Sequence, residues 1–177
     1  MLIAMAGLPS TGKSTLAACL EREMGAVVLG KDVVRAALFP PRVLDYSAVQ
    51  DEIAMSAIYE AAAAILRADP RRAVIIDGRT FLRPGPLQPL LDLAASLGER
   101  LFLIECVCDE DVAKRRLEKD LAEGSHPAGN RTFTLYLSLK DAAEPITFPH
   151  LVLDTGRTLP DECVRRCLDY LGWGHEP

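Results

Sequence analysis

The run Gly7-Leu8-Pro9-Ser10-Thr11-Gly12-Lys13-Ser14 follows directly on the apolar stretch Leu2-Ile3-Ala4-Met5-Ala6 and leads into Leu16, Leu20 and Met24 at i, i+4 spacing. A strand, a glycine-rich turn and an amphipathic helix in immediate succession leave few folds open to the chain. Gly7 and Gly12 allow a tight turn that aims successive backbone N–H groups inward, which is how a polyphosphate is held. Lys13 is then expected to set a point charge on the β- and γ-phosphates. Ser14 offers a hydroxyl to Mg²⁺, and the helix beginning here turns its positive end toward the anion. The loop residues Gly7, Leu8, Pro9, Ser10, Thr11, Gly12, Lys13, Ser14 and Thr15 are therefore expected to contact a nucleotide, with ATP and Mg²⁺ as the cofactors.

Apolar β-like runs alternate with amphipathic stretches along the whole chain. Leu2–Ala6, Ala26–Leu29, Ala73–Ile76, Leu101–Val107 and Leu151–Leu153 read as strands. Their near-continuous apolar character suits a parallel sheet covered on both faces, and right-handed crossovers put helices on both sides. The expected fold is thus α/β: a five-stranded parallel sheet in a three-layer α/β/α arrangement, one domain over residues 1–177. Helices are predicted over Ser14–Met24, Asp32–Leu38, about Tyr46 to Arg67, Leu87–Leu97, Thr132–Lys140 and Pro160–Leu171. Another begins after Asp109 as cap, with Val112, Ala113, Leu117 and Leu121 inward. In the long helix Ile53, Ile58, Ala62, Ile65 and Leu66 share one side. The segment Gly124 to Asn130 interrupts the pattern.

Ligands of such a sheet gather at the carboxyl ends of its strands, and the chemistry-bearing residues fall there. Leu29-Gly30-Lys31-Asp32 ends the second strand, and Arg35 lies one turn on, on the same helical face as Asp32. Asp32 is placed to accept the proton of an attacking hydroxyl, with Arg35 holding the acceptor. Spacing alone also fits an N-cap aspartate beside a solvated arginine. The third strand ends in Ile76-Asp77-Gly78, where a carboxylate can support Mg²⁺ or orient the acceptor. Arg79 and Arg83 project from the same edge as candidate contacts to an anionic substrate. Arg115 and Arg116 follow the fourth strand and Arg131 lies past the break, an arrangement that reads as a mobile helical lid over about residues 112–140. Asp154-Thr155-Gly156 after the fifth strand is a candidate border to the adenine.

Other chemistries find little support. The 20 Lys and Arg against 25 Asp and Glu give a formal charge of −5, which argues against sequence-blind binding to nucleic acid. The five cysteines are odd in number and lack the CxxC spacings of metal or redox sites, so buried free thiols are expected. His126, His150 and His175 are scattered and propose no metal site. No apolar run approaches the roughly 18 residues of a membrane span. Leu2 to Ala6 is too short for a secretory h-region and lacks a basic n-region. A cytoplasmic location without membrane association is the expectation.

Taken together, the phosphate loop, Asp32-x-x-Arg35, Val74 to Asp77-Gly78, and Arg116-Leu117 resemble the small P-loop kinases of the zeta-toxin, chloramphenicol phosphotransferase and polynucleotide 5′-kinase type, a group also described by its AAA ATP-binding domain. The resemblance spans nearly the whole chain in element order. It implies a sheet order of 2-3-1-4-5, a small helical lid carrying Arg116, activation of an acceptor hydroxyl by Asp32, and a grip on substrate phosphate by Arg35. One position departs from the group. Many relatives carry a second lid arginine four residues after the first, and here that residue is Asp120, leaving Lys119, Arg115 or Arg131 to substitute.

The expected activity is transfer of the γ-phosphoryl group of Mg·ATP to a hydroxyl of a small-molecule acceptor. Lys13, Asp32, Arg35 and Arg116 are the expected catalytic residues. Asp32, Arg35, Asp77, Arg79 and Arg83 are expected on the acceptor, Ser14 and Asp77 on the metal, and Arg116 and Thr155 on the nucleotide. Two alternatives stay open: a kinase acting on the 5′-hydroxyl of a polynucleotide or tRNA, and a nucleotide-gated binding protein with slow hydrolysis only.

Overall fold

The computed structural model describes residues 1–124 and 130–174. Five parallel strands, β1 (Leu2–Ala6), β2 (Val27–Gly30), β3 (Val74–Asp77), β4 (Leu101–Val107) and β5 (Leu151–Asp154), pair in the order β2-β3-β1-β4-β5. The connecting helices are α1 (Lys13–Met24), α2 (Lys31–Leu38), α3 (Ala48–Ala68), α4 (Pro84–Leu97), α5 (Glu110–Glu123), α6 (Phe133–Asp141) and α7 (Pro160–Leu171). Fold class and strand order are those the sequence and the resemblance imply.

Strand alternation sorts the core into two layers. Ile3, Met5, Ile75, Phe102, Ile104 and Cys106 face α1 and α7. Leu2, Ala4, Val74, Ile76 and Leu103 face α3 and α4. Every β1 residue is fully buried, because helices cover both faces and β3 and β4 cover both edges. A third, smaller cluster joins Ala113 and Leu117 of α5 to Tyr136 of α6, with Leu8 packed against it. It rests the α5–α6 pair on the loop after β1.

The chain leaves β1 for β2 on one side and later crosses from β3 to β4 on the other. The carboxyl end of β1 is therefore the switch point of the sheet, where a crevice is forced open. Register places Gly30 opposite Asp77 and Ala6 opposite Glu105, so the residues after β1, β2 and β3 emerge side by side.

Several local expectations need correction. Leu121 is largely exposed and Ile53 is also on the surface; α5 has only Ala113 and Leu117 buried, since the small α5–α6 cluster covers a narrow stripe. The long helix starts at Ala48, not Tyr46, because Ser47 caps it by accepting a hydrogen bond from the Gln50 N–H. The α4 helix starts at Pro84, ahead of Leu87, using proline in its first turn. Asp109 occupies the N-cap position of α5 without capping it; its carboxylate accepts from Arg157 instead. Of the expected lid over 112–140, residues 125–129 lie outside the described residues, as do His126 and His175.

All five cysteines are free, with Cys106, Cys163 and Cys167 buried. Burial pushes the Cys106 and Cys167 thiols up to about 12, which keeps them protonated and unreactive. No helix among the described residues is long and apolar enough to cross a membrane.

Candidate active site

Gly7 and Gly12 both adopt positive φ, 123° and 93°. A Cβ on Gly7 would stand 2.2 Å from the Cys106 carbonyl oxygen, so only glycine lets the loop leave β1 against β4. Ser10 completes the turn in a left-handed conformation, φ 58°. The Thr11 hydroxyl donates to the Leu8 carbonyl at 2.8 Å and braces the loop from within. Lys13 folds back across it, its Nζ donating to the Gly7 and Leu8 carbonyls at 2.8 and 2.6 Å. Burial lowers the Lys13 ammonium to about 8, opposed chiefly by the Asp77 carboxylate.

A cleft of about 1260 Å³ opens above the loop. Pro9, Ser10, Gly12, Lys13, Ser14 and Thr15 line it from α1 and the loop. Gly7, Leu8 and Thr11 lie on the opposite side and border a separate cavity beneath β4. Asp32, Arg35, Asp77, Arg79 and Arg83 line the far wall, while Arg116 and Thr155 close the end nearest β5. Tertiary folding thus gathers into one cleft the candidates read from widely separated segments.

Arg35 is 3 % exposed although it lies on a surface helix. Its Nη2 donates to Asp32 Oδ1 at 2.6 Å, and its Nη1 donates to Asp51 Oδ1 from α3. The guanidinium also lies 4.7 Å from the centre of the Tyr46 ring. Asp51 in turn accepts from Lys31 Nζ at 2.7 Å. Arg79 pairs with Glu52, and Arg83 donates from Nε to the Ala142 carbonyl at 3.0 Å, tying α4 to the end of α6. Asp51 and Glu52, both at the start of α3, were not among the residues read from sequence. Their signal was an acidic pair in the first turns of an otherwise alanine-rich helix, which equally fits a favourable helix-dipole interaction.

Asp77 is 6 % exposed and its Oδ1 has no hydrogen-bond partner. A buried carboxylate oxygen left unsatisfied needs a ligand, a water or a cation. The Ser14 side chain is exposed in the same cleft. One carboxylate and one hydroxyl are the protein donors with which a phosphate-bridged Mg²⁺ is held in this kind of loop, the rest being water and phosphate oxygens. The residues present fit that ion. No group of three or more His, Cys, Asp and Glu suited to a metal occurs among the described residues.

Arg116 reaches from α5 to the loop, donating from Nη1 to the Ser10 carbonyl at 3.2 Å and to Thr155 Oγ1 at 3.0 Å, and from Nη2 to the Thr155 carbonyl at 2.9 Å. Thr155 Oγ1 donates to the Thr11 carbonyl at 2.7 Å. Thr155 therefore lies directly against the phosphate loop. A Cβ on Gly12 would come within 3.3 Å of its side chain.

The family model described as "AAA domain" matches residues 2–136, which include the phosphate loop, Asp32, Asp77 and Arg116. The chain belongs to the AAA domain family. Within solved structures it is similar to a kinase candidate from Chloroflexus aurantiacus, with TM-score 0.76 and 23% identity over 95% of this chain and 96% of that one. It is also similar to the APS kinase CysC of Mycobacterium tuberculosis in complex with AMPPNP and APS, with TM-score 0.72 and 21% identity over 97% and 96% of the two chains. A third likeness is to Kti12 of Chaetomium thermophilum in complex with ADP-AlF3, with TM-score 0.71 and 18% identity over 97% of each chain. At these identities the likeness is one of fold, that of the small P-loop kinases. A comparison with curated proteins gives no match.

Proposed function

We propose that this protein is a Mg²⁺-dependent phosphotransferase that moves the γ-phosphoryl group of ATP to a hydroxyl of a small-molecule acceptor. The observation that carries this reading is the placement of Asp32 and Asp77 after adjacent strands, facing a cleft shared with Lys13. A phosphate loop alone needs no second carboxylate and no space beyond the triphosphate. Here the cleft exceeds the roughly 300–1,000 Å³ of an ordinary ligand pocket, and it continues past the loop to the α2–α3 wall.

In this reading the loop amides and Lys13 hold the β- and γ-phosphates, and Arg116 and Thr155 fix the loop from the β5 side. Ser14 and Asp77 hold Mg²⁺, which neutralises charge on the phosphate oxygens. Asp32 accepts the proton of the acceptor hydroxyl as its oxygen forms the new bond to phosphorus. The bond from γ-phosphorus to the bridging oxygen breaks, and ADP leaves with that electron pair. Arg35, buried between Asp32 and Asp51, acts as a positioning residue that aims the base. Arg79 and Arg83 border the acceptor. Positioning and electrostatics supply nearly all of the catalysis.

The pairing of Lys31 and Arg35 with Asp51, and of Arg79 with Glu52, supports a small acceptor over a polynucleotide. Those cations are already neutralised, whereas a nucleic-acid groove needs them for phosphates. The test is a labelled-ATP transfer assay against pooled metabolites and RNA, with the Asp32→Asn protein as blank. Label on a metabolite that is absent in the blank supports the proposal. Label on RNA ends points to the polynucleotide kinase, and release of phosphate alone points to a nucleotide-gated binding protein.

A further inference from the structure

Asp120 stands where many relatives carry a lid arginine, and its carboxylate faces a guanidinium from another segment. Arg131 Nη1 lies 3.8 Å from Asp120 Oδ2, and Arg131 Nη2 donates to the Ser10 hydroxyl at 3.1 Å. The same hydroxyl reaches Asp120 Oδ2 at 3.4 Å. Ser10 is itself held in a left-handed turn and is 8 % exposed. Three residues remote in sequence thus meet over the phosphate loop. The Arg131 side chain is only 18% exposed, and it lines the cleft with Lys13, Asp32 and Asp77. Burial lowers the Arg131 guanidinium, opposed by Asp120, Asp32 and Asp77 in that order, and Arg131 is among the charges acting on Lys13. Two cations and two carboxylates accordingly face the space beyond the loop.

We propose that Arg131, positioned by Asp120 and the Ser10 hydroxyl, is the guanidinium that reads the terminal phosphate of a bound nucleoside triphosphate. The proposal rests on the nucleotide reading above. It says that the cation has moved from the α5 position to the start of the following helical segment, and that Asp120 has changed from phosphate ligand to positioning residue. A guanidinium suits this task because its planar fork meets two phosphate oxygens at once, and a flanking carboxylate fixes the fork in advance. The Ser10 hydroxyl occupies Nη2 until a stronger, charged acceptor replaces it.

The experiment compares Kd for ATP and for ADP by calorimetry in the parent protein, Arg131→Ala, Asp120→Asn and the double variant Asp120→Arg/Arg131→Ala. A charged hydrogen-bonded contact to the terminal phosphate predicts that Arg131→Ala lowers the preference for ATP over ADP by about tenfold or more, with ADP affinity unchanged. Asp120→Asn is expected to give a smaller loss in the same direction. The double variant restores the preference, because it returns a cation to the relatives' position. An unchanged preference in Arg131→Ala, or an equal loss of ATP and ADP, overturns the proposal. Failure of the double variant to recover the preference overturns the role of Asp120. A parent protein that binds neither nucleotide overturns the kinase reading itself, whereas phosphoryl transfer with an ATP preference indifferent to Arg131 overturns this inference alone.

Discussion

Arg35 Nη2 lies 2.6 Å from Asp32 Oδ1, one helical turn away, and the same guanidinium is held from the other side by Asp51. The carboxylate proposed as base is therefore set by a buried cation that is itself set by a second helix. A salt bridge that would be worth little at the surface gains geometric force here, because Arg35 has no room to take another rotamer.

If Asp32 takes the acceptor proton, Asp32→Asn keeps the shape of the site and removes the base. Phosphoryl transfer is expected to fall by about 10²–10⁴-fold, while ATP affinity changes little. Turnover measured with labelled ATP alongside calorimetric binding checks both halves; wild-type turnover in the variant would remove Asp32 from this role.

Asp51→Ala leaves Arg35 buried with one carboxylate instead of two, and also strips Lys31 of its partner. A loss of about 3 kcal/mol in folding stability is expected, by analogy with other broken buried pairs. Urea denaturation measures it, and the transfer assay should show a lowered kcat as Asp32 loses its aim.

The lowered Lys13 ammonium, about 8 by burial, makes nucleotide binding pH-dependent. Triphosphate favours the charged form and raises this value in the complex. Affinity is thus full below about pH 8 and declines as pH rises through it, and binding between pH 8 and 9 takes up a proton. Calorimetry at pH 8.5 in buffers of different ionisation enthalpy reads that uptake. Lys13→Arg, always charged, should show none.

Gly7→Ala places a methyl group 2.2 Å from the Cys106 carbonyl at a φ of 123°. Strain and overlap together are expected to cost about 3 kcal/mol or more. A lowered thermal midpoint with weakened nucleotide binding would follow. Gly98→Ala is the control for backbone strain alone, since its φ is 64° and no atom lies within 4 Å of the added methyl.

The phosphate loop was legible because its chemistry is local: glycines, lysine and serine act within one turn and carry their own spacing. The five strands were legible because sheet burial imposes continuous apolar runs such as Leu2–Ala6 and Leu101–Ile104. Asp51, Asp120 and Glu52 were not, because an acidic residue near the surface of a helix has the same local pattern whether it meets solvent or a distant arginine. Leu121 misled for the complementary reason: its periodicity fits an inward face, but α5 packs on too small a partner to cover it.

The sequence by itself determined the α/β class, the loop that begins the site and the strand-end positions of Asp32 and Asp77, all consequences of short-range spacing and hydrophobic period. Only the tertiary structure decided who faces whom. It buried Arg35 between Asp32 and Asp51, set Thr155 and Arg116 against the loop, and joined Ser10, Asp120 and Arg131 over it. Pairings of charge across such distances depend on how the strands are ordered and how helices cross them, and no local pattern encodes that geometry.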